Sequence, residues 1–338
     1  VSAISRITES VSLLPLEEVP DEAIVAATCG FGSPEVLQNR ECVVQNFFAL
    51  ETLERVLGKK IDCLVPFESG GYNSLVPFYA AALKGIPVID CDGTGRAVCE
   101  WYISMFEVHR IPMSPFVLAD DHGHSAVIYG STAIEVDRYA RAVLREFGLV
   151  SGTAGYVMSG AKARAAMVPN MISMERALGA MMTELITRGQ DPLEAVLKTT
   201  GGFLLIDGSV AKKEVRTSPI GSDHGLIQVE GYGRSRRRKL SILLKNESIL
   251  ARWSHGLLAA MLPDIITYLD HEGRPITNAD IRRGVKVRVL GIPIHTKCRD
   301  PRAIPLYQKV LEDVLGSKES YVPVEELQTR PMSQPTKN

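Results

Sequence analysis

Two short loops hold most of the residues in this chain that can do chemistry. One is Glu68-Ser69-Gly70-Gly71-Tyr72-Asn73 and the other is Asp90-Cys91-Asp92-Gly93-Thr94-Gly95-Arg96. Glu68 and Asp92 are candidate general bases, and Arg96 can pair with a carboxylate or clamp an anion through its planar fork of donors. These three are the catalytic candidates. Gly70 and Gly71 let the backbone come close to a ligand, and Asn73 offers both a donor and an acceptor. Glu100 falls one helical turn beyond Arg96, on the same face of an expected helix. Gly70, Gly71, Asn73 and Glu100 are therefore substrate-binding candidates. Asp90 and Asp92 are two apart, which on an extended segment puts both on one face, suited to a metal or to one raised pKa. The plainer reading is that Asx and Gly residues after strands form turns and cap helices.

A third polar segment is Asp120-Asp121-His122-Gly123-His124. Imidazole and carboxylate together suit zinc and related divalent ions, although no established zinc spacing is present. Asp90, Asp92, His122 and His124 are the candidate metal set, against a solvated turn between strands. Asn246-Glu247 interrupts an apolar strand pattern, either as a hairpin turn or as a further substrate-binding pair. The basic run Arg234–Lys239 reads as a solvated hairpin tip, and His255, His271 and His295 as isolated structural or solvated residues. Gly30 and Gly32 make half of a dinucleotide fingerprint and no P-loop occurs, so no nucleotide cofactor is expected.

Each of the two loops follows an apolar run and precedes a helical pattern. Strand signals cover Ala23–Thr28, Ile61–Phe67 and Ile86–Ile89, with turn chemistry expected from Cys29 to Pro34. Helical spacing covers Phe47–Leu57, a segment capped by Ser74 and ending at Lys84, and Ala97–His109. Ile134–Phe147 reads as an amphipathic helix with Asp137 and Arg141 at i,i+4, Gly152–Lys162 as a Gly- and Ser-rich stretch, Met171–Thr187 as a strong helix and Lys239–Lys245 as a short strand. Strand–helix–strand units with short loops imply parallel crossovers in a layered α/β sheet, whose strand C-terminal edge is the usual ligand site. After Gly201-Gly202 the pattern becomes closely spaced short strands, which suggest a barrel or sandwich. The expected division is an α/β domain at 1–200, a β-rich domain at 201–300 and a polar tail at 323–338. A helix at 303–315 is expected to return to the first domain.

Composition narrows the function classes. A formal net charge of -1 over 338 residues argues against the broad positive field that non-specific nucleic-acid binding needs. No apolar run approaches a membrane span, and no signal peptide opens the chain. Its first residue is Val1, which implies a removed initiator Met or a truncated start. Six cysteines without a CxxC pair in a core-rich chain point to reduced thiols and a cytoplasmic location.

The motifs also resemble a known family, the S-methyl-thiohydantoin desulfurases, often encoded beside hydantoinase/oxoprolinase genes. The resemblance covers most of the chain. It runs through Gly30–Pro34, Glu68–Asn73, Gly85–Ala97 and Glu100, then Lys245-Asn246-Glu247, Pro263–Ile266, Gly273–Thr277 and Tyr321–Val324. Val98-Cys99 stand where the family pattern has Phe-Pro, and a Gly-rich segment of that pattern would precede Val1. What the resemblance implies is a three-layer αβα domain with a mostly parallel sheet, joined to a mainly β, barrel-like domain. It also implies hydrolytic desulfurisation of a hydantoin-like five-membered ring. The alternative is a non-catalytic subunit that binds a small heterocycle or a hydantoinase-like partner. A homo-oligomer is the expected assembly, with no nucleic-acid or membrane partner.

Overall fold

The computed structural model describes residues 10–37 and 44–329. Val1, Cys42 and the end of the expected tail, 330–338, lie outside the described residues. The chain divides into two compact units, one of 1–174 with 217–222 and one of 175–216 with 223–338.

The first unit is built on a seven-stranded sheet. Its strands are β1 (Leu13–Leu14), β2 (Ile24–Gly32), β3 (Cys63–Pro66), β4 (Val88–Ile89), β6 (Phe116–Ala119), β7 (Ser125–Ile128) and β8 (Val150–Ser159). Two short strands, β5 (Cys91–Asp92) and β9 (Val168–Pro169), pair separately. The sheet order is β1-β4-β3-β2-β8-β6-β7. β1, β4, β3 and β2 run parallel, whereas β2/β8, β8/β6 and β6/β7 are antiparallel. The sheet is thus mixed rather than mostly parallel. The difference lies in β8, a central antiparallel strand running into the Gly- and Ser-rich stretch 152–162, whose composition shows no strand signal.

Strand β2 also runs past its expected end. Cys29, Gly30, Phe31 and Gly32 do not turn, because β8 continues to pair with them as far as Val150. On one face of the sheet, Ala49, Leu50 and Leu53 of the helix Val44–Leu57 pack against Ala26, Leu64 and Val117. Successive strand residues face opposite ways. Thr28 and Gly30 accordingly meet Asn46 and Tyr72, while Phe31 meets Trp101 on the other face.

The expected helix Ala97–His109 shrinks to Met105–Val108. Residues 97–104 are irregular because backbone groups at their start bond to distant side chains, and among the described residues only Ile103 N to Glu100 O closes a turn within the stretch. The Val98 amide donates to Glu68, and the Cys99 carbonyl accepts from Arg141. Glu100 therefore does not share a helical face with Arg96.

The second unit carries an eight-stranded sheet. Its strands are β10 (Phe203–Thr217), β11 (Asp223–Gly231), β12 (Lys239–Lys245), β13 (Glu247–Trp253), β14 (Leu258–Met261), β15 (Ile265–Asp270), β16 (Pro275–Ile276) and β17 (Lys286–Ile292). They lie in the order β14-β13-β12-β11-β10-β17-β15-β16. The sheet curls, since Ser248 of β13 reaches the Tyr268 hydroxyl of β15 at 2.8 Å although four strands separate them. One hydrophobic core draws on every strand from β10 to β15 and on β17. No pairing joins the end strands β14 and β16 among the described residues, so the expected barrel does not close.

The helices Met171–Thr187 and Leu193–Thr200 place Met182 and Val196 against Leu269 and Leu290 of this sheet. That packing is why the division falls after Met174 rather than at Gly201. The helix Ile304–Leu315 is also grouped with this unit, not with the first. The start of the expected polar tail is likewise structured, as a helix at Val324–Thr329 whose Val324 enters the core.

Asp264 anchors that last segment. Fully buried, it accepts from the Ile294 and Val324 amides, from Arg299 and from the Tyr321 hydroxyl. Loss of its carboxylate strands the Ile294 and Val324 amides, while Arg299 keeps its pair with Glu325. Asp264→Ala is expected to lower the unfolding free energy by about 2–5 kcal/mol, the cost of leaving two buried donors without an acceptor, measured by denaturant unfolding. A loss below about 1 kcal/mol, the worth of an exposed pair, would show that the clamp contributes little.

Candidate active site

The loops after β3 and β5 meet in the first unit, and Glu68 joins them. Its Oε1 accepts from Asn73 Nδ2 at 2.5 Å and its Oε2 from the Val98 amide at 2.6 Å. Asn73 Oδ1 in turn accepts from the Gly30 amide at 2.8 Å, which ties the network to β2. A further backbone bond runs from Gly93 N to Phe67 O at 3.1 Å. Gly70 comes close to Ala97 from the facing loop, and Gly71 is exposed beside it. Gly30 needs its hydrogen side chain, since a Cβ there would overlap the Tyr72 ring. Ser74 does not cap the helix Val76–Lys84. Its hydroxyl instead accepts from the Gly70 amide and closes the loop.

Asp92 and Asp90 are buried and engaged with backbone. Asp92, at 0% exposure, accepts from the Thr94 and Gly95 amides. That is an Asx-type turn, the arrangement the plainer reading anticipated. Asp90 accepts from the Ser173 amide at 3.0 Å. Arg96 is buried too, with its Nε donating to the Ala97 carbonyl at 2.8 Å.

An aromatic layer lies under the two loops. Phe67 contacts Trp101 at 4.2 Å between centroids and stacks on Phe106 at 5.6 Å, while Phe106 stacks on Tyr156 at 4.5 Å. Burial, together with the Glu68 charge, pushes the Cys29 thiol well up. Burial likewise pushes the Tyr156 hydroxyl up, with Glu107 adding to it. Both groups are held neutral at ordinary pH.

Sequence reading missed one part of this unit. Asp137 and Arg141 were expected as a pair on an amphipathic helix, and they do form one, Nε to Oδ2 at 2.9 Å. The pair is buried, and Glu100 completes it at 3.5 Å from Arg141 Nη2. Burial pushes the Asp137 carboxyl up to about 6 against the pull of Arg141, and Glu100 adds to the rise. The available signal was a charged i,i+4 pair between apolar Val136 and Ala140, on the side of the helix that faces inward.

The four candidate metal ligands do not converge. His122 and His124 are 74% and 75% exposed in the turn between β6 and β7. That hairpin starts four strand positions from β4, about 19 Å across the sheet. His124 Nδ1 is bonded to Asp120 at 2.8 Å, and Asp120 also accepts both histidine amides. Desolvation would raise the Asp120 carboxyl, but these donors outweigh it and hold the carboxyl below its ordinary value. Among the described residues no group of three or more His, Cys, Asp or Glu side chains is arranged to hold a metal. The donor set does not fit a metal, and no chemical step is derived through one.

Asn246 and Glu247 belong to the second unit. Asn246, at φ 54°, is the hairpin turn between β12 and β13, and it exchanges two 2.7 Å bonds with Asp223. Of the two readings its sequence allowed, it forms the turn. The five described cysteines, Cys29, Cys63, Cys91, Cys99 and Cys298, are free and buried. Among the described residues no helix is long and apolar enough to cross a membrane.

Fold and site together define a two-unit protein in which a mixed α/β unit presents a carboxylate-bearing loop pair and a second unit is built on an antiparallel sheet. Family models agree along nearly the whole length, the S-Me-THD-like N-terminal domain over residues 1–130 and the S-Me-THD-like C-terminal domain over 131–323. The chain belongs to the S-Me-THD-like family, as its motifs led us to expect. A crystal structure of a protein from Chromobacterium violaceum shares the fold, with a TM-score of 0.78 at 22% identity, over 93% of this chain and 87% of that one. No curated protein matches the chain.

The Asp137 shift has a thermodynamic consequence. An acid whose pKa is raised on folding binds its proton more tightly when folded, so its stabilisation is full below the ordinary value of 3.8 and fades as pH rises through about 6. Stability is expected to fall over this window, and Asp137→Asn to flatten the fall. Thermal unfolding of both proteins from pH 4 to 7 measures it, and parallel curves would contradict the shift.

Proposed function

We propose that this protein is a hydrolytic desulfurase acting on an S-methyl-thiohydantoin or a related sulfur-bearing five-membered ring. Family membership supports the substrate class. The observation that carries the chemistry is the Glu68 bridge, a carboxylate fixed by two donors at the C-terminal edge of a parallel strand.

In this reading Glu68 is the general base. It takes a proton from water as the water oxygen bonds to the ring carbon bearing sulfur. The carbon–sulfur bond then breaks, and the departing thiolate takes up that proton to leave as methanethiol, with hydantoin as the other product. Asn73 orients the ring amide and also aligns the base, and Gly70 and Gly71 allow close backbone approach. Arg96 supplies positive charge toward the developing anion. Asp92, closed on its own backbone turn, holds the loop in shape and is a weaker choice of base than Glu68.

Glu68→Gln is expected to lower kcat about 10²–10⁴-fold, the usual worth of a general base, and Arg96→Ala to lower kcat/KM about 100-fold or more, as for loss of a charge-stabilising donor. Released methanethiol, titrated with a thiol reagent, measures both, with folding of each variant checked by thermal unfolding. Unchanged turnover in both variants would overturn the site. Stabilisation of the wild-type protein by thiohydantoins without any thiol release would favour the non-catalytic heterocycle-binding alternative.

A further inference from the structure

The segment Val98–Glu100 is held at three consecutive points by groups far away in sequence. Val98 donates its amide to Glu68 at 2.6 Å. The Cys99 carbonyl accepts from Arg141 Nη2 at 3.4 Å, and the Glu100 carboxylate lies 3.5 Å from the same nitrogen. Arg141 is itself fixed by Asp137 at 2.9 Å and by the Phe31 ring, 5.1 Å from its guanidinium carbon. Glu100, Asp137 and Arg141 are only 8%, 8% and 6% exposed.

This cluster holds two carboxylates and one guanidinium. With both acids ionised it would bury a net negative charge, which is costly away from water. Burial, with the Glu100 charge adding to it, holds the Asp137 carboxyl above its ordinary range. Arg141 Nη1 and Asp137 Oδ1 have no hydrogen-bond partner, so the cluster is not completed as an ordinary buried ion pair. The groups facing Asp137 are Arg141 on its own helix, Glu100 on the irregular segment and the Tyr156 hydroxyl on β8, while Cys99 faces Arg141.

We propose that Arg141 and Asp137 are positioning residues for Glu68. They pin Val98–Glu100, and with it the amide that aims the Glu68 carboxylate, through the contacts of Arg141 with the Cys99 carbonyl and the Glu100 carboxylate. This rests on the desulfurase reading, in which Glu68 is the base. The chain of contacts is direct. Arg141 holds Cys99 and Glu100, and their neighbour Val98 holds Glu68.

The test is a double-mutant cycle with a second readout that needs no turnover. Arg141→Met is expected to lower kcat about 100-fold, the cost of a roughly 1 Å misplacement at the reacting centre. The change in KM should be small, and Arg141→Lys should restore part of the loss. In a Glu68→Gln background the same Arg141→Met change is expected to cost less than about threefold, because two residues acting through one group are not additive. A merely structural Arg141 would cost the same in both backgrounds, and that outcome overturns the proposal. The second readout is the side-chain carboxyl ¹³C signal of Glu68, assigned by its loss in Glu68→Gln. Its titration midpoint should move in Arg141→Lys and in Asp137→Asn, the isosteric variants most apt to stay folded. An unmoved midpoint overturns the positioning role. A moved midpoint in a protein that releases no thiol supports positioning and overturns only the desulfurase reading.

Discussion

Glu68 ties together two loops that no regular pairing would otherwise hold. Its Oε1 takes the Asn73 amide and its Oε2 takes the Val98 N–H, while Asn73 reaches back to Gly30 on β2. Bonds to an ionised acceptor are shorter and stronger than neutral ones, and this one side chain makes two of them. The carboxylate is therefore the cross-link of the site and, in the proposed reading, also its base. Those roles are not separable by a simple amide replacement. Glutamine keeps a single acceptor oxygen, so its NH₂ must face the Asn73 NH₂ or the Val98 N–H, donor against donor. Loss of activity at this position has to be read beside loss of loop geometry, and coupling to other residues is more informative than any single variant.

The same constraint explains the irregular stretch from Ala97 to Ser104. Helical periodicity describes which side chains share a face, and this stretch satisfies it. A helix also needs each N–H to find the carbonyl four residues back. Here the Val98 N–H goes to Glu68 and the Cys99 carbonyl faces Arg141, so the local ladder loses to two distant side chains. Glu100 consequently turns to Arg141 rather than toward Arg96. The buried cluster it joins holds one guanidinium and two carboxyl groups, and burial keeps the Asp137 carboxyl above its ordinary range.

What was legible in the sequence was mainly local. The strong periodicity of Met171–Thr187 and the alternation of Lys239–Lys245 return the observed bounds, because packing there agrees with local preference. The positions of the two loops at strand ends were legible too, through apolar runs closed by Gly and Asx residues. Less legible was anything decided by partners far along the chain. Gly152–Lys162 reads by composition as only Gly- and Ser-rich, yet its small residues let β8 lie centrally, with Gly152 against the backbone of Gln45 and Asn46. His122 and His124 suggested a metal with Asp90 and Asp92, but strand order sets the histidines at the opposite side of the sheet. The Asp137–Arg141 pair was seen as a spacing, while its burial depended on the neighbouring loop.

The aromatic layer gives the loops their rigidity. A Cβ at Gly93 would overlap Phe106, just as one at Gly30 would overlap Tyr72, so the backbone at both points lies directly on a ring. Phe67, Trp101, Phe106 and Tyr156 pack on one another beneath, which leaves the loops no space to settle inward. Such a floor favours a preorganised site over one that forms on binding, because the donors around Glu68 are in place before any ligand arrives. It also sets the polarity of the site. Apolar rings below the loops keep water from Cys29 and Tyr156 and hold both neutral, so the charge available for chemistry is concentrated in the loop carboxylates and Arg96 above them. A reaction that needs one well-aimed base and little water is what such an arrangement suits, and hydrolysis at a single activated ring carbon is a reaction of that kind.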